Sequence, residues 1–119
     1  MTPRAFRIGC GAGYSGDRIE PAVELVERGE LDAIVFECLA ERTIAIAQQA
    51  KAMDSAAGFD PRLDERMHAL LRDAHQRGIR IITNMGAANP PAAGARVGAI
   101  ARELGIRGLT IAIVTGDDV

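Results

Sequence analysis

The sequence predicts an α/β fold, a three-layer α/β/α arrangement of Rossmann-like or flavodoxin-like kind around a mostly parallel four-stranded sheet. Three observations predict it. Four short apolar runs recur along the chain, helical periodicity fills the intervals, and glycine marks the return from helix to strand at Arg28-Gly29, Arg77-Gly78 and Leu104-Gly105. The runs are almost continuously apolar, which suits strands covered on both faces. Strands separated by helices pair in parallel.

Ala5 to Cys10 reads as the first strand, interrupted by Arg7. The helix that follows carries Val23, Leu25 and Val26. Pro21 belongs in its first turn, where a missing N–H costs nothing, so Gly11 to Glu20 becomes a long loop. Arg28 complements the negative end of this helix and Gly29 is expected to take the left-handed position just beyond it. Asp32 to Phe36 forms the second strand. Leu39 to Ala52 and Pro61 to Arg77 are two helical segments split by Met53 to Asp60, a link expected to be a helical hairpin or a lid. Asp60 caps the second segment and Pro61 fills its first position. Ile79 to Thr83 is the third strand, Asn89-Pro90-Pro91 opens the helix that ends near Leu104, and Leu109 to Val114 is the fourth strand. The expected strand order is 2-1-3-4, which sets a switch between the first and third strands and brings Gly11 to Asp17 beside Asn84 to Gly86.

A chain of 119 residues makes a single domain, 1–119, and buries roughly two thirds of its unfolded surface without help from disulfides or metals. The formal net charge of -2 supplies no field to draw a polyanion, which argues against nucleic acid as a partner. No run approaches the ~20 apolar residues of a membrane span, and the start, Met1-Thr2-Pro3-Arg4, lacks the apolar core of a signal peptide. A soluble, cytoplasmic protein with no membrane partner is expected. Cys10 and Cys38 are expected to be small buried fillers, with a helix N-terminus at Cys38 as the alternative setting for a nucleophile. His68 and His75 stand two turns apart on one helix, too far for a metal pair, and are assigned to a solvated face.

Gly11-Ala12-Gly13-Tyr14-Ser15-Gly16 matches the dinucleotide fingerprint G-x-G-x-x-G after a strand, and Glu37 lies 21 residues beyond Gly16, where a ribose hydroxyl would be held. Two features oppose it. The fingerprint starts its helix among the glycines, which would put Pro21 inside that helix, and Asp17 brings a negative charge to the phosphate position. A dinucleotide site, a tight turn that needs only glycine, and a loop for another ligand all stay open.

Several motifs in fixed order resemble a known family. They are Gly13-Tyr14-Ser15-Gly16-Asp17-Arg18, Gly29-Glu30-Leu31-Asp32, Leu39-Ala40-Glu41-Arg42-Thr43, Gly78-Ile79-Arg80-Ile81-Ile82-Thr83-Asn84, Gly86-Ala87-Ala88-Asn89-Pro90 and Gly116-Asp117-Asp118. Together they resemble the N-terminal region of the acyclic terpene utilisation proteins, long classed as a domain of unknown function. The resemblance implies a catabolic protein, encoded beside acyl-CoA carboxylases and hydratases, in bacterial breakdown of citronellol, geraniol and related branched acids. It also implies that the chain is the N-terminal part of a longer protein. Many members have Ser-Gly-Phe where Gly11-Ala12-Gly13-Tyr14 stands here, and the resemblance carries no catalytic residue with it.

Each predicted strand runs into a cluster of glycine and polar residues, and in open parallel sheets such clusters converge on one crevice. There Asp17, Glu37, Glu41, Asp117 and Asp118 would offer carboxylates, Asn84 and Asn89 amides, and Arg18 and Arg42 counter-charges. Gly11, Gly13, Gly16 and Gly86 would admit a ligand close to the backbone. Asp17 and Glu41 are the candidate acid and base, with Asn84 orienting a carbonyl. Crowded carboxylates either raise the pKa of one member or take up a divalent cation, for which oxygen ligands favour Mg²⁺ or Ca²⁺. Local alternatives are an N-cap at Asp17, Asn89 or Asp117, and an exposed pair with Arg42 at Glu41. Asn84 must satisfy both donor and acceptor directly after a buried strand. With the resemblance, the expected function is an enzyme domain for a branched acyl or acyl-CoA small molecule. The alternatives are a non-catalytic subunit docked on a partner acyl-CoA enzyme, and a dinucleotide-binding domain. A homo-oligomer and a partner subunit are both open.

Overall fold

The computed structural model describes residues 3–119; Met1 and Thr2, part of the start read for a signal peptide, lie outside the described residues. The elements run β1 (Ile8–Ala12), α1 (Glu20–Arg28), β2 (Ala33–Phe36), α2 (Glu41–Met53), α3 (Leu63–Gln76), β3 (Arg80–Thr83) and α4 (Pro90–Glu103). All strand pairing is parallel, in the order β1-β2-β3. The expected order 2-1-3 is therefore corrected: β2, the most apolar strand, takes the centre, and no switch point lies between the first and third strands. Uniform progression in one direction, with right-handed crossovers, sends successive helices to the same face.

Register shows which face. Gly9, Ile34 and Ile81 are aligned across the sheet, and a Cβ at Gly9 would overlap Leu31 beside Leu25. This face packs with α1, α3 and α4 around Val26, Leu31, Ile34, Phe36, Leu63, Met67, Leu70 and Ile100. Ile8, Cys10 and Ile82 belong to the other face; Ile8 is 65% exposed and Ile82 51%. A second helical layer is not seen among the described residues. Cys10, expected to be buried, is exposed for that reason.

Several local expectations change with the packing. Gly78 and Gly105 hold the left-handed turn after their helices, with φ +70 and +71, but Gly29 sits at φ -78 and Glu30 takes φ 51 instead. Gly29 is required for space, because a Cβ there would lie 2.6 Å from the Leu25 carbonyl oxygen. Pro21 occupies the first turn of α1, as its chemistry demands. The Asn89 side chain accepts from the Ala92 N–H and caps α4. Asp60 does the same work for the turn ahead of α3, accepting from the Arg62 N–H at 2.8 Å.

The link from α2 to α3 is tied down. Asn89 Nδ2 donates to the carbonyls of Ser55 and Ala57, the Ala88 N–H to Gly58, and the Asp60 N–H to Met85. Lys51 Nζ reaches the Ala88 carbonyl. These bonds fasten the link to the loop between β3 and α4, and α2 rides on that junction with Ala47 inside and Met53 91% exposed.

After α4 the chain is extended from Leu109 to Val114, the predicted fourth strand. No ladder partner is formed there among the described residues. Ile113 packs where Gly94 of α4 lacks a side chain, and Ile111 reaches Gly94 and Gly98.

Candidate functional site

Parallel strands place their carboxyl ends on one rim. The three loops that leave this rim are Gly13 to Ile19 after β1, Glu37 to Ala40 after β2, and Asn84 to Asn89 after β3. Asn84 joins two of them. Its Oδ1 accepts from the Cys38 N–H at 2.8 Å and its Nδ2 donates to Glu37 Oε1 at 2.8 Å. The Leu39 N–H also donates to Glu37 Oε1, at 3.1 Å. The Asn84 hydrogen bond, helped by that amide, holds the Glu37 carboxyl below its ordinary range, so Glu37 is an anion at neutral pH. One Nδ2 proton of Asn84 is left over.

The glycine loop folds onto Asp17. Gly13 N–H donates to Asp17 Oδ2 at 2.9 Å and Arg18 N–H to Oδ1 at 2.9 Å. The Gly13 bond in particular lowers the Asp17 pKa. Asp17 thus occupies the amide that a phosphate would need, and α1 begins only at Glu20. Gly11 belongs to β1, beside an irregularity between Cys10 and Ala12, and a Cβ there would lie 2.6 Å from the Phe36 ring. The glycine at position 11 is explained by Phe36. Gly16 lies against the Tyr14 ring, and Gly86 lies against Pro90.

Beneath the rim is a network that sequence reasoning missed. Arg66 is fully buried; its NH2 donates to the carbonyls of Ser15 at 2.8 Å and Asp17 at 3.2 Å, and its NH1 lies 3.7 Å from Asp60 Oδ1. Ser15 Oγ donates to Asp60 Oδ2 at 2.7 Å, and Arg62 NH1 to the Asp17 carbonyl at 2.8 Å. One helix therefore holds the glycine loop from below, while Asp60 binds the turn and the β3–α4 loop. Arg66 Nε is buried without a partner among the described residues. The signal was present in the sequence. Leu63, Met67, Leu70, Leu71 and Ala74 form the apolar stripe of α3, and position 66 falls inside it.

The other predicted residues are dispersed. Glu41 and Arg42 are exposed in the first turn of α2, Arg18 is exposed beyond the glycine loop, and Asn89 is buried as a cap. Asp117 lines the same cleft as Asn84 and Gly86. No group of three His, Cys, Asp or Glu side chains suited to a metal occurs among the described residues. Cys38 is buried, and loss of solvation pushes its thiol up to about 11. It rests as a neutral thiol rather than an activated nucleophile. No helix among the described residues is long and apolar enough to cross a membrane.

The cleft has a volume of about 900 Å³ and lies between β3 and the extended segment Gly108 to Thr115. Its floor is apolar, with Leu63, Met67, Leu71 and Val97, and it opens at the rim beside Leu39, Asn84 and Asp117.

A sequence model described as acyclic terpene utilisation family protein AtuA matches residues 6–119. The chain belongs to that family, in agreement with the motifs quoted above. No curated protein and no solved structure matches.

Proposed function

We propose that this chain is a catabolic small-molecule domain of acyclic terpene utilisation, acting on a branched acyl or acyl-CoA intermediate at the strand-end rim. The observation that carries this reading is the Asn84–Glu37 pair, which fastens the β2 and β3 loops where an apolar cleft meets polar groups. Such a junction suits a ligand with an apolar chain and a polar carbonyl end. The remaining Asn84 N–H would orient that carbonyl. Asp17, held ionised, would act as a base rather than an acid, and Glu41 would approach from the first turn of α2. The residues 1–119 would form one α/β domain of a longer protein, with Leu109–Val114 as a further strand of its sheet.

A second reading, a non-catalytic subunit docked on a partner acyl-CoA enzyme, is favoured by apolar side chains left outside on α2, Ile46 and Met53.

A thermal-shift panel of branched free acids, acyl-CoA esters, NAD, ATP and Mg²⁺ tests both. Stabilisation by an acyl-CoA ester or a branched acid that is lost in Asn84→Ala supports the rim site. Stabilisation by NAD alone would displace it, and no response to any compound would favour the docking subunit.

A further inference from the structure

We propose that the cleft between β3 and Leu109–Val114 is a vacant strand position, which receives an extended β-strand from a polypeptide outside this sequence. The backbone makes the case. The N–H groups of Arg80 and Asn84 bond to the carbonyls of Asp32 and Phe36 on the β2 side. Strand alternation therefore turns the N–H and C=O groups of Ile81 and Thr83 the other way, into the cleft. Across the cleft, Leu109 to Val114 takes part in no backbone–backbone hydrogen bond among the described residues. The outward groups of Ile81 and Thr83 and the unbonded backbone of Leu109 to Val114 thus line one cleft.

The far row is seated. Ile111 and Ile113 lie over Gly94 and Gly98 of α4, Leu109 packs on the core, and the Arg107 carbonyl contacts His75 Nε2 at 3.1 Å. Side chains at alternate positions on the helix side are what a sheet strand presents to its covering layer. The segment lines the cleft across from β3 and forms no ladder with it among the described residues. A strand between them would bond to both rows and lay every second side chain on Leu63, Met67, Leu71 and Val97. Main-chain bonding with apolar pockets for alternate residues is strand addition.

The chemistry selects this occupant over others. An acyl chain would cover the floor and leave both backbone rows unsatisfied. A second copy could offer its own Leu109–Val114 only by lifting it from α4, which removes one wall of the cleft. A strand in this place and the apolar chain of the ligand proposed for the rim compete for the same cleft.

The test is a short fluorescent peptide of alternating Val and Thr, added to the whole chain and followed by anisotropy and amide exchange, with a Pro-substituted peptide as control. Binding at micromolar concentration, with exchange of Ile81, Thr83 and the Thr110–Val114 amides slowed at least about tenfold and no effect of the control, supports the inference. Gly94→Val, which pushes out Ile113, should weaken that binding while circular dichroism stays unchanged. No binding, or amides already protected in the free chain, overturns it. So does equal protection by a branched fatty acid without peptide, or protection that follows dimerisation.

Discussion

The β1 flank and the β3 flank of the same sheet are built by opposite rules. On the β1 flank glycine removes side chains so that neighbours close in: Leu31 fills the space over Gly9 and the Phe36 ring the space over Gly11. Asp32 then secures the entering chain, accepting from Arg7 N–H at 2.7 Å and from Arg4 at 2.7 Å. On the β3 flank the strand keeps its side chains, Ile82 is half exposed, and the next extended segment stands apart across the cleft. On the β1 flank the face over the glycines is filled by contacts within the chain. The other flank is prepared for something added, and the rim between them inherits a fixed side and an adjustable one.

The largest loss should come from the fixed side. Arg66→Ala removes a buried cation and leaves Asp60 with its charge inside the protein, which costs about 3–5 kcal/mol. Urea unfolding measures it, and a loss below about 1 kcal/mol would mean that the network does not hold the rim. Gly11→Ala comes next: a Cβ in contact with the Phe36 ring overpacks the sheet by about 1–3 kcal/mol. The matching change on the other flank, Val97→Ala on the cleft floor, should cost less than a core truncation because the site is only half-buried. Equal losses for the two would erase the contrast between the flanks.

The smallest effect lies away from both flanks, where His68 Nε2 meets Glu103 at 2.9 Å and Nδ1 meets the Asp64 carbonyl at 2.7 Å. The Glu103 hydrogen bond raises the His68 pKa from its ordinary 6.5. The contribution is therefore full below 6.5 and disappears as pH rises through the higher folded value. Glu103 is lowered from 4.5, first by His68, so its share disappears as pH falls through the folded value. The Tm difference between wild type and His68→Gln should peak between these limits and vanish in alkaline solution. A difference independent of pH would remove the ion pair from the account.

Much of this was legible in the sequence. Apolar runs and glycine stops located the three strands to within a few residues, and Pro21 and Asn89-Pro90 located the starts of α1 and α4. Strand order was not legible, because the same alternation of strands and helices fits every parallel order; the centre is held by β2, whose residues are the most apolar of the three. Asn84 was recognisable as an amide that needed two partners, but Glu37 and the Cys38 amide as those partners are a product of register. Asp17 reads from sequence as a charge opposed to phosphate, and its capture of the Gly13 N–H follows from a loop geometry that residue types alone do not specify. Arg66 stood in plain view within an apolar stripe. Its meaning depends on what the stripe packs against.

The contrast between the flanks is tested most directly by native-state amide exchange on the free protein. Ile34 and Phe36, in the central strand, should exchange slowly, while Ile81 and Thr83, whose N–H groups face the cleft, should exchange faster by at least about two orders of magnitude. Protection of Ile81 and Thr83 equal to that of Ile34 would show that the outer edge of β3 is already paired, and would contradict the account.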